Sequence, residues 1–190
     1  MEEAIYYGKT LKDAFKSAER LLEKRIDELN ALNVFPVPDG DTGINMFLTL
    51  QAATASLDNL NTNSVAEMAP KLARGALLGA RGNSGVILSQ IFRGMAKVLE
   101  TKDYFTAFDF AKALHNASET AYRSITKPVE GTILTVIREA AEAAGQQISN
   151  NGNLKHTITT VTDQARNTVS RTPDLLPQLK EAGVVDAGGK

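Results

Sequence analysis

The sequence has no cysteine, only two histidines in 190 residues, and no surplus of either charge. Each shortage excludes a class of chemistry. Without cysteine there are no disulfides and no thiolate metal sites, which fits a reducing compartment. His115 and His156 both fall inside helical patterns and read as structural or surface residues. No Ser–His–Asp arrangement and no His-rich metal cluster is visible. With 21 Lys and Arg against 22 Asp and Glu, the net charge of −1 offers no general attraction to nucleic acid or an anionic membrane. No apolar run approaches the ~20 residues that span a bilayer, and Met1-Glu2-Glu3 is acidic where a targeting leader would be basic. The expectation is a cytoplasmic chain with no membrane span and no nucleic-acid partner. At 43% hydrophobic and 23% charged, the composition is that of one sizeable globular domain. The chain stops abruptly after Gly188-Gly189-Lys190, as an excised domain would.

What is present is helical periodicity. Leu11, Phe15, Ala18, Leu22, Ile26 and Leu29 recur at three and four, predicting one long helix from about Tyr7 to Leu32. A second is expected over 44–57. Ser64-Val65-Ala66-Glu67 has the form of a capping box opening a third. The fourth runs through Val86, Leu88, Ile91, Met95 and Leu99, the fifth over about 106–125, and the sixth over 133–148. Asn150-Asn151-Gly152-Asn153 reads as a turn. Thr157 to Thr162 is β-branched and strand-like by propensity. Leu154, Ile158, Val161, Ala165 and Val169 nevertheless keep helical spacing, and the longer pattern decides for a helix. Pro173 is expected to open a short last helix, and residues 183–189 to close the chain irregularly. The fold class is therefore all-α: about eight antiparallel helices in an up-and-down bundle or helical barrel. In that arrangement loops after odd-numbered helices share one end.

Three of those loops are unusual. Asn33-Val34-Phe35-Pro36-Val37-Pro38-Asp39-Gly40-Asp41-Thr42-Gly43-Ile44-Asn45 is stiffened by two prolines. It carries two acids that repel one another unless a cation lies between them; a hard cation such as Mg²⁺ prefers carboxylate oxygens. An Asx-turn with an Asp N-cap is the plainer alternative. An EF-hand is excluded, because counting from Asp39 its sixth position is Ile44 and its twelfth Leu50. An Asp-x-Asp phosphatase should place the acids after a buried strand, which Pro36 and Pro38 disfavour. Thr42-Gly43-Ile44-Asn45 and Gly82-Asn83-Ser84-Gly85 each begin a helix, where free N–H groups suit phosphate. Neither is a Walker loop or a Rossmann fingerprint, and an ordinary glycine turn is the alternative for each. Arg74, Arg81 and Arg171 could pair with phosphate or sit solvated.

Three motifs together resemble a known family. Asn33 to Asn45 with Met46, then Gly79-Ala80-Arg81-Gly82-Asn83-Ser84-Gly85-Val86-Ile87-Leu88-Ser89-Gln90, then Gly183-Val184-Val185-Asp186-Ala187-Gly188-Gly189 are similar to the N-terminal domain of the ATP-binding subunit of bacterial fatty-acid kinase. That domain is similar to the nucleotide-binding L subunit of dihydroxyacetone kinase. The resemblance covers essentially all 190 residues. It implies a barrel of eight antiparallel helices with ATP and two Mg²⁺ at one rim. Asp39 and Asp41 are then the metal-holding, catalytically essential acids. Where dihydroxyacetone kinase has a third aspartate this chain has Val34, with Asn33 beside it; the carbonyl oxygen of Asn33, or water, would substitute. Thr42, Gly43, Ile44, Asn45, Gly82, Asn83, Ser84 and Gly85 resemble the phosphate-binding helix starts. Gly131 resembles the glycine of a nucleotide-contacting loop, Arg171 an arginine near the nucleotide, and Asp186, Ala187 and Gly188 the tail that closes over it. The resemblance further implies that the chain is the N-terminal part of a longer multidomain kinase, with a homodimer one arrangement open to the full-length protein. The acyl acceptor would arrive on a separate fatty-acid-binding protein. The alternatives are a dihydroxyacetone-type kinase acting on a small hydroxyl, an Asp-x-Asp phosphatase, and a non-catalytic helical interaction domain.

Overall fold

The computed structural model describes residues 4–148 and 153–190. Its described elements are nine helices and one two-residue antiparallel pair, β1 (Tyr6–Tyr7) with β2 (Tyr104–Phe105). The helices are α1 (Gly8–Glu23), α2 (Ile26–Ala31), α3 (Thr42–Ala55), α4 (Val65–Gly79), α5 (Gly82–Leu99), α6 (Ala107–Ser124), α7 (Ile133–Ile148), α8 (Leu154–Leu175) and α9 (Pro177–Ala182). From α3 to α8 each packs on its neighbour in sequence, the up-and-down order expected of short connections, while α1 and α2 lie on α3. The all-α class stands as expected, and residues 157–162 are helical within α8.

Apolar stripes explain the packing. Leu50, Ala53 and Leu57 from α3 and its end meet Met68, Leu72 and Ala76 of α4 in one core. Ile91, Phe92 and Leu99 of α5 and Ala113, Ala117 and Ala121 of α6 complete it. Alanine on α6 lets the helices approach closely, and Phe15 of α1 sets its ring edge-on to Phe92 at 5.1 Å.

Three sequence expectations need correction. The first long helix is two, because Arg25 leaves helical geometry (φ −112°, ψ 4°) and its N–H turns back to the Leu22 carbonyl. The capping box at Ser64 is not formed: Ser64 Oγ donates to Asp103 at 3.0 Å, and Glu67 accepts from Thr62 at 3.2 Å. The box that does form joins Thr106 and Asp109 at the start of α6. Pro173 lies inside α8, and Pro177 opens the last helix by holding Leu176 extended. Asn150, Asn151 and Gly152 of the expected turn lie outside the described residues, while Asn153 caps α8 by accepting the His156 N–H at 2.9 Å. Both histidines are exposed.

Candidate functional site

Three loops and the tail, from separate parts of the sequence, meet at one end of the helices. They are the α2–α3, α4–α5 and α6–α7 loops and residues 183–190, and they surround a cavity of about 430 Å³. Asn33, Asp39, Asp41, Thr42, Gly82, Asn83, Ser84, Asp186 and Gly188 all line it. Loops after alternate helices share a rim, as the up-and-down order requires. A larger hollow of about 620 Å³ on the outer wall of α4, α5 and α6 contains none of these loops and no paired carboxylates.

The acidic loop is built by its asparagines. Asn33 is buried; its Oδ1 accepts the N–H groups of Asp41 at 3.1 Å and Thr42 at 3.2 Å, and its Nδ2 donates to the Val37 carbonyl at 3.0 Å. Asn30 on α2 does the same two residues further on, accepting from Gly43 at 2.8 Å and Ile44 at 3.2 Å. These bonds fill the positions that a phosphate would need at the start of α3. The α3 backbone is thus already capped, contrary to the expectation for Gly43 and Ile44. The Thr42 hydroxyl is the group of that helix start that remains at the cavity. Asn33 is corrected likewise: both lone pairs of its carbonyl oxygen are in use, so it anchors the loop instead of offering that oxygen to a cation. Gly40, between the acids, has φ +67°, a conformation that favours glycine. The Phe35–Pro36 peptide is cis.

Asp41 is the N-cap residue of α3, yet its side chain makes no capping bond. Among the described residues neither Asp39 nor Asp41 is in an ion pair, and no group of three or more acidic or histidine side chains gathers to hold a metal. Two carboxylates beside an open cavity nevertheless suit Mg²⁺, which takes one or two protein carboxylates and completes its shell with phosphate oxygens and water.

The glycine loop is the opposite case. The N-cap of α5, Arg81, makes no side-chain capping bond, so the first N–H groups of α5 lack the asparagine caps seen on α3. Its entry is fixed from α3: fully buried Thr49 accepts the Arg81 N–H at 3.2 Å, and Asn45 lies against Gly82. Gly85 is pressed on Thr49, where a Cβ would come within 2.3 Å of Oγ1. Asn45 and Gly85 therefore set the geometry from behind. Ser84 Oγ is buried and has no hydrogen-bond partner. A buried hydroxyl left unpaired costs about 1–3 kcal/mol, and a ligand acceptor at the cavity would remove that cost.

The remaining expected residues divide. Asp186 lines the cavity and is 6% exposed. Burial pushes its carboxyl up to about 6, against the opposing pull of the Gly189 and Ile133 N–H groups. Ala187 is buried beside it, and the Lys190 ammonium reaches Glu28 of α2 at 2.7 Å, drawing the tail across the rim. Gly131 does not line the cavity; at φ +83° it is packed on Leu175 and Leu176. Arg171 is also outside the lining, paired with Glu139, whose carboxyl is held below its usual value by Thr168 and Arg171 despite burial. No pattern in the sequence marks the apolar wall that Phe35, Val86, Ile87, Val129 and Leu134 contribute, nor Lys127 on the α6–α7 loop.

The family model for the DAK2 domain matches residues 36–190. Protein YloV of Bacillus subtilis (strain 168) is 45% identical over 183 residues, which is 96% of this chain and 33% of that protein. Uncharacterized proteins of Staphylococcus saprophyticus and Staphylococcus haemolyticus are 44% and 42% identical with the same coverage. The chain thus spans about a third of the length of the curated relatives it matches.

Proposed function

The chain belongs to the DAK2 domain family, the kinase-related domain of the dihydroxyacetone kinase L-subunit type, and on that premise we propose that its rim cavity binds Mg²⁺·ATP. The domain would then supply the γ-phosphoryl group to a fatty-acid carboxylate presented by a separate fatty-acid-binding protein. One observation carries the nucleotide reading. Two unpaired carboxylates, Asp39 and Asp41, share a single cavity with the partnerless Ser84 hydroxyl at the uncapped start of α5. A cation seat beside an anion seat is what a metal-bridged phosphate chain requires. The apolar wall opposite would accept an uncharged aromatic ring.

Asp39 and Asp41 would hold Mg²⁺, which neutralises phosphate charge and orients the phosphate oxygens. Ser84, Thr42 and the first α5 N–H groups would hydrogen-bond the phosphates and fix them in line for transfer. In the reaction an acceptor carboxylate oxygen forms a bond to the γ-phosphorus, the bond to the bridging oxygen breaks, and ADP leaves. A carboxylate, with a pKa of roughly 4 to 5, is already ionised at neutral pH, so the acceptor needs no general base. An alcohol acceptor would need one. A phosphatase of the Asp-x-Asp kind is disfavoured because the element leading into Asp39 is the helix α2, not a strand.

The test is Asp41→Ala. Its side chain caps nothing, so helical content by circular dichroism should persist while calorimetric binding of Mg²⁺·ATP is lost. Unaltered affinity would remove Asp41 from the site and the reading with it.

A further inference from the structure

The cavity's ionisable lining is lopsided. Asp39, Asp41 and Asp186 supply three carboxylates, and Lys127 is the one cationic side chain among the described lining residues. Two carboxylates committed to Mg²⁺ leave a triphosphate with excess negative charge and a third buried acid nearby. A cation at this place lowers that repulsion. The other basic candidates are elsewhere: Arg81 does not line the cavity, and Arg171 is engaged by Glu139. The ion pairs that lysines make among the described residues use Lys16, Lys102 and Lys190, so Lys127, exposed, keeps its charge available.

The loop that carries Lys127 is held unusually firmly for a surface connection. Pro128 disfavours helical backbone at Lys127, which lies at a bend. Two residues past Pro128, the Glu130 carboxylate accepts from Tyr122 of α6 at 2.9 Å and from Thr135 and Arg138 of α7 at 2.7 and 3.2 Å. Gly131 N–H donates to Thr135 Oγ1 at 2.7 Å, and Thr132 Oγ1 to the Val129 carbonyl at 2.8 Å. Glu130 itself does not line the cavity. It fastens the loop to both flanking helices, and burial works against a charge that these donors retain. An exposed glutamate that gathers three donors holds the outer part of this loop, beside Lys127, in place.

We propose that Lys127 is a phosphate-binding residue that selects the longer, more highly charged nucleotide, and that Glu130 is its positioning residue. This rests on the Mg²⁺·nucleotide reading above. The experiment titrates Mg²⁺·ATP and AMP into the 190-residue chain and into Lys127→Gln, Lys127→Arg and Glu130→Gln. Loss of one charge-assisted phosphate contact should lower Mg²⁺·ATP affinity about 10- to 100-fold in Lys127→Gln, with AMP affinity little changed. Lys127→Arg, which keeps the charge, should retain most of the ATP preference. Glu130→Gln should erode that preference in the same direction, and add little to Lys127→Gln when the two are combined. An unchanged ATP-over-AMP ratio in Lys127→Gln overturns the assignment of Lys127. A Glu130→Gln variant that melts lower with its ratio intact reduces Glu130 to a structural residue and overturns its positioning role. If the unaltered chain fails to bind Mg²⁺·ATP, the nucleotide reading falls first and this one with it.

Discussion

Asp186 shows how far a residue's chemistry here departs from its type. Buried at the cavity wall, its carboxyl is pushed up to about 6 from an ordinary 3.8. Because the folded value lies above the unfolded one, its contribution to stability is fully present below about pH 4. It is lost as pH rises through about 6. A displacement of this size corresponds to about 3 kcal/mol. Denaturant unfolding of the nucleotide-free chain should therefore show wild type losing stability relative to Asp186→Asn between pH 4 and pH 6.5. A pH-independent difference between the two would mean that Asp186 is not desolvated. Ser84 makes the same point without charge, since its hydroxyl is buried and unpaired. Such a group is retained where a ligand completes it.

At the scale of elements, the helix starts carry the information. The α3 start is closed by Asn30 and Asn33, whereas the α5 start is left uncapped toward the cavity. The α6 start is closed by a reciprocal Thr106–Asp109 box. Thr106→Ala should accordingly cost about 1 kcal/mol of unfolding free energy. Ser64→Ala, at a start that sequence alone marks as a box, should cost less than half as much, since it loses only an exposed bond to Asp103. Equal costs would contradict the assignment of the cap. The helices from α3 to α7 were legible because their apolar spacing and their glycine or proline breaks agree. The errors occurred where a local pattern met a tertiary competitor. Asp103 and Thr62 take the two partners of the apparent Ser64–Glu67 box. The apolar period runs unbroken through Leu22, Ile26 and Leu29, so it conceals the turn at Arg25. The acids and the glycine loop could be read because their residue types pack poorly in a core. Asn30, Lys127 and the apolar wall could not, since only the fold brings them to the cavity.

For the molecule as a whole, the up-and-down order places three loops and a tail on one rim, so residues from 33 to 188 in the sequence line one cavity. No described helix is long and apolar enough to cross a membrane. The relatives are three times as long as this chain, and we propose that acyl-acceptor docking belongs to such further domains and to the fatty-acid-binding partner. The central claim, that this rim seats a metal-bridged triphosphate, is tested most directly by thermal unfolding of the chain with and without ATP and Mg²⁺. At a ligand concentration about 100 times the dissociation constant the folded state should gain about 2.7 kcal/mol, with a raised melting temperature that ATP without Mg²⁺ does not reproduce. A melting temperature indifferent to Mg²⁺·ATP, or raised equally by ATP without the metal, would contradict the account.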